Sequence, residues 1–123
     1  MLLPARGDGA REAIYSACET LVRTDLVFLR KHPECPPLAK AGIRYQKEPP
    51  GQPETWWSIP EVIIHGYGDC KKLAAWRVAE LRIRDVAALC YPITNGNGKW
   101  HIIVAARVGG KTVWFDPSKE LGM

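Results

Sequence analysis

No stretch of this sequence approaches the roughly eighteen consecutive apolar residues that a membrane-crossing helix needs. The start, MLLPARGDGAREA, has a short apolar run but neither the basic head nor the long apolar body of a signal peptide. Histidine is scarce: only His32, His65 and His101. The four cysteines, Cys18, Cys35, Cys70 and Cys90, form no C-x-x-C pair, and their spacings do not match a zinc site. No metal and no cofactor are therefore expected. An even cysteine count permits two disulfides, but nothing else points to secretion. The chain reads as soluble and cytoplasmic.

Charge of one sign is not in great excess. The net charge is +4 and the basic residues are spread out, with a small group at Arg30, Lys31 and His32. Nucleic-acid surfaces cluster basic residues with stacking aromatics, so nucleic acid is not the expected partner. What the sequence does hold is 46% hydrophobic residues in 123, enough for one core and a single domain spanning 1–123.

Apolar residues at Ile14, Ala17, Cys18, Leu21, Val22, Leu26 and Leu29 have helical spacing, predicting a helix over 10–31 with Asp8 as N-cap. His32-Pro33 ends it. Residues 33–60 hold seven of the ten prolines and also Trp56 and Trp57, so they read as a loop lying across the domain. A short extended piece is expected near 43–46. Ser58 and Glu61 form a capping-box pattern ahead of a short helix over 60–64. After Gly66 and Gly68, residues 69–83 read as a central helix with a broad apolar set. From Asp85 the period changes to strands over 86–93, 100–108 and 112–117, joined by turns at TNGNGK and Gly109-Gly110. Helices followed by a strand meander give an α+β fold with an antiparallel sheet.

Cys70 falls at the start of the central helix, where free N–H groups and the helix dipole favour a thiolate. His101 follows 31 residues later and Asp116 another 15. A two-residue turn at Gly109-Gly110 sets His101 opposite position 118, so Asp116 becomes its diagonal neighbour on one face. That pair can orient an imidazole to take the cysteine proton. His65 lies before the glycine turn without a carboxylate partner and reads as structural or as a rim residue. Cys18 and Cys90 read as core.

The residues GYGDC (66–70), Trp100-His101 and WFDP (114–117) resemble the transglutaminase-like superfamily of papain-like cysteine enzymes. The likeness spans Trp56 to the end. EPPG, SIPEV and AAWRVAELR are also similar to small members encoded by phages and prophages. The resemblance implies Cys70 as nucleophile, His101 as general base and acid, and Asp116 as orienting residue. It implies amide or peptide hydrolysis through a thioester, with a peptide or protein substrate. Trp56, Trp57 and Gln52 are the candidate side-chain oxyanion donors. The same fold also serves as a non-catalytic binding or assembly module, and a phage-encoded member would sit in the host cytoplasm or the virion. Lys71 and Lys72 depart from the acidic residues that often follow the cysteine; their charge is expected to lower the thiol pKa or to mark a different substrate. With six residues after Pro117, substrate walls are expected from 33–60, from a second copy, or from an assembly partner.

Overall fold

A computed structural model describes residues 9–94 and 98–123. The expected N-cap Asp8 and the centre of the 94–99 turn lie outside them. Helix α1 (Gly9–Lys31) buries Ile14, Cys18, Leu21, Val22, Leu26 and Leu29, the stripe its spacing predicts. It packs beside α3 (Cys70–Ile83), which buries most of its surface, with Trp76 at its centre. Strands β3 (Ala88–Thr94), β4 (Trp100–Val108) and β5 (Lys111–Phe115) form an antiparallel meander in the order β3-β4-β5. Its Cys90, Ile102, Val104 and Ala106 share the core cluster with α3. The architecture is mixed α+β. No helix among the described residues is long and apolar enough to cross a membrane.

The register across the Gly109-Gly110 turn pairs Val108 with Lys111 and Val104 with Phe115, as a two-residue loop requires. Both glycines have positive φ, the backbone such a turn needs. Two boundaries differ from the sequence reading. The first strand begins at Ala88 because Asp85, at φ 62, turns the chain after α3 and the Val86 amide still bonds back to Leu81. The last strand stops at Phe115. Asp116 is not its end but the N-cap of a short helix, α4 (Pro117–Glu120), which begins with proline at its first position.

The proline-rich segment is less irregular than its composition suggests. It carries a 3₁₀ turn (Leu38–Lys40) and strand β1 (Arg44–Tyr45). β1 pairs in parallel with β2 (Tyr67–Gly68), Tyr45 facing Gly68. Between them lies α2 (Ile59–His65), where Glu61 reaches back to the Ser58 amide at 3.0 Å, as the capping-box pattern anticipates. Gly66, at φ 81, ends α2. Gly68 serves a different need: a Cβ there would come within 3.2 Å of Lys72 Cβ, so its absence lets β2 lie tight on α3.

Three carboxylates tie these pieces to the helices. Glu19 of α1 takes both terminal nitrogens of Arg82 at 2.6 and 2.7 Å, and Arg82 also donates to the Ala88 carbonyl. Glu80 of α3 accepts the Leu38 amide at 2.8 Å. Asp25 of α1 accepts the Ile59 amide at 2.9 Å and so fixes the start of α2. Asp25 is almost fully buried and its Oδ2 has no hydrogen-bond partner among the described residues. Burial therefore pushes its pKa up from 3.8 to about 7, against the pull of the Ile59 amide.

The pH dependence of stability follows. Folding holds a proton on Asp25 that the unfolded chain releases near its ordinary value, so this group's contribution is intact below that value. It is lost as pH rises toward 7. Asp25→Asn keeps the acceptor for Ile59 and removes the charge. It is expected to raise stability at alkaline pH by about 1–3 kcal/mol, the gain fading as pH approaches 4. Urea unfolding across pH checks this; an Asn variant weaker than the parent at alkaline pH would overturn it.

Candidate active site

Where α3 starts, the chain has just left β2, and Asp69 caps the helix by accepting the Lys72 amide. That places Cys70 at the first helical position, half-buried, on the wall of a cleft of about 510 Å³. His101 and Trp100 of β4 line the same cleft. The opposite wall is the loop Pro49, Pro50, Gly51 and Gln52, with Trp56 beyond it. All four cysteines are free thiols.

His101 Nε2 lies 2.9 Å from Asp116 Oδ2. The hairpin register makes this contact, since position 118 opposite His101 falls in α4 and Asp116, two residues back, is the N-cap of that helix. The capping role fixes the carboxylate further, through its bond to the Lys119 amide. With Nε2 committed to Asp116, Nδ1 is the ring nitrogen left to act as base. No hydrogen bond joins the Cys70 thiol to His101. Such bonds are often long before substrate binds.

Lys71 and Lys72 overturn the expectation attached to them. They are only 5% and 2% exposed. Lys71 Nζ bonds Glu48 and Asp69, and Lys72 Nζ bonds Glu48 at 3.1 Å. Glu48 also accepts the Thr55 amide, closing the loop that forms the cleft wall. Burial raises the Glu48 pKa, but the hydrogen bonds of Asp69 and the lysines outweigh it and hold Glu48 below the usual carboxylate range. Burial and the Glu48 neighbour lift Asp69 above that range. The two cations are thus paired with carboxylates in place, and the pull of Lys71 on the thiol is outweighed. Burial, and next the Asp69 charge, push Cys70 up to about 11, against the Ile102 amide and Lys71. The resting thiol is protonated, contrary to the thiolate expected at a helix start.

The two tryptophans separate. Trp56 lines the cleft, its ring 5.2 Å from Lys71 Nζ. Trp57 is not on the cleft wall among the described residues. It stacks on His65, centroids 3.8 Å apart, with Lys72 Nζ over its ring at 4.2 Å. His65 is accordingly a packing residue. Gln52 is exposed at the loop tip. Sequence reasoning missed Tyr45, which lines the cleft from β1. Its only signal was the expected extended piece at 43–46.

No family model matches this chain, and no curated protein matches it. Among solved structures, a candidate cysteine protease from Cytophaga hutchinsonii is similar at 16% identity with a TM-score of 0.48. The likeness covers 94% of this chain and 44% of that one.

Iodoacetamide should alkylate Cys70 slowly near neutral pH, the rate climbing well past the point where a free thiol of pKa about 8.5 levels off. Asp69→Asn keeps a helix cap, removes the adjacent charge and should move that profile to lower pH. Peptide mass spectrometry reads each cysteine; a Cys70 rate already flat near neutrality would contradict the protonated resting state.

Proposed function

We propose that this chain is a cysteine-dependent acyl-transfer enzyme of the transglutaminase-like, papain-like kind, hydrolysing amide or peptide bonds. The observation that carries the reading is the His101–Asp116 contact of 2.9 Å on the wall of the cleft that Cys70 also lines. Cys70 Sγ adds to a carbonyl carbon while His101 Nδ1 takes the thiol proton. The C–N bond breaks, and His101 returns the proton to the leaving amine. Water then attacks the thioester, releasing the acid and restoring the thiol. An amine in place of water gives transamidation by the same first step. Because the thiol rests protonated, the imidazole acts as a true general base, with Asp116 holding its orientation. The cleft suits a peptide or protein segment carrying the acyl group.

A second reading has an observation of its own. The thiol raised to about 11 and not bonded to His101 also suits a non-catalytic module, such as a phage assembly component that keeps the fold for binding.

p-Nitrophenyl acetate separates the two. The enzyme reading expects a burst of p-nitrophenolate with the acetyl group found on Cys70. Cys70→Ser should abolish it, His101→Ala should slow it about 100-fold or more, and Asp116→Asn should slow it about tenfold or more, all with thermal unfolding in place. Absence of any Cys70-dependent burst in the parent would leave the binding module as the better reading.

A further inference from the structure

Acyl transfer at Cys70 puts negative charge on the substrate carbonyl oxygen, and the site needs preorganised donors for it. The first amides of α3 supply backbone donors. The side-chain donor has four occupants of the cleft to come from besides His101 and the lysines: Trp100 beside the imidazole on β4, Gln52, Trp56 and Tyr45. Gln52 stands on an exposed loop, and no hydrogen bond holds its side chain among the described residues. Trp56 presents a ring face to Lys71. Both belong to the loop segment that closes where Glu48 takes the Thr55 amide.

Tyr45 is held differently. Its Cα faces Gly68, two residues before Cys70, across the β1–β2 pair. Its own amide donates to the Leu121 carbonyl at 2.9 Å, and the next amide, Gln46, donates to Gly68 at 2.9 Å. The ring is half-buried and packs on the core. Its hydroxyl makes no hydrogen bond among the described residues, although a phenol in such a place usually finds a partner. Resting on the acyl-transfer reading above, we propose that Tyr45 is a catalytic residue, donating its O–H to the carbonyl oxygen as Cys70 adds. Burial, then the nearby charges of Cys70, Asp69 and Asp116, keep the phenol protonated and therefore a donor throughout.

Tyr45→Phe removes only the oxygen. Acetylation of Cys70 by p-nitrophenyl acetate develops an oxyanion; alkylation by iodoacetamide displaces iodide at a methylene carbon and develops none. The variant is expected to acetylate about 100-fold more slowly, with alkylation rate, its pH profile and thermal unfolding unchanged. Gln52→Ala and Trp56→Phe should each cost less than tenfold. Acetylation of Tyr45→Phe at the parent rate overturns the proposal. So does a parallel fall in both reactions, which would assign Tyr45 to the thiol or to packing. A parent protein that never acetylates at Cys70 overturns the acyl-transfer reading and this assignment with it, whereas failure of Tyr45 alone leaves the parent's burst intact.

Discussion

The Glu48 carboxylate is the contact on which the site depends. It accepts from two lysine side chains on the first turn of α3 and from the Thr55 amide across its own loop. Without it, Lys71 would lose one of its two hydrogen-bonded carboxylates and Lys72 would keep only an ion pair at 3.6 Å with Asp69. Through those lysines it also reaches the two tryptophans, since each ring lies under one ammonium group. One carboxylate therefore couples the cleft wall to the helix that carries Cys70. The same pairing consumes the positive charge beside Cys70, and burial then decides the state of the thiol.

The imidazole arm is built on separate principles. A glycine turn fixes the register of β4 and β5, the register brings α4 opposite His101, and the helix cap holds Asp116. None of these contacts passes through Glu48. Cys70 and His101 are thus positioned by two independent devices that meet only at the cleft. On the proposed acyl-transfer reading, a protonated resting thiol relies on that meeting more heavily than a preformed thiolate would, because proton removal and attack must coincide.

Much of this was legible in the residues. The α1 stripe, the capping box at Ser58 and Glu61, and the diagonal placement of His101 and Asp116 all follow from local rules of period, cap and turn. What escaped reading depends on distance along the chain. Two-residue strands carry no periodicity, so β1 and β2 are defined only by each other, and Tyr45 with them. The burial of Lys71 rests on Glu48, more than twenty positions upstream, and no local pattern announces an acid that far away. At Asp116-Pro117 the strand expected through 117 gives way to a helix N-cap, which the sequence does not announce because α4 is too short to show a stripe. The adjacent Trp56 and Trp57 part company because neighbouring residues of an extended chain point to opposite sides.

The parallel pairing of β1 with β2 has a consequence for the order of assembly. The β4–β5 hairpin closes through two residues, so the His101–Asp116 arm forms at small cost in chain entropy. Tyr45 reaches Gly68 only after the whole intervening segment, α2 included, has been gathered in, and Asp25 and Glu80 must capture Ile59 and Leu38 from still farther away. Contacts of that span form late. A full-length chain folding from the unfolded state therefore forms its His101-bearing hairpin before it has a cleft, and the thiol gains its enclosed surroundings late in folding.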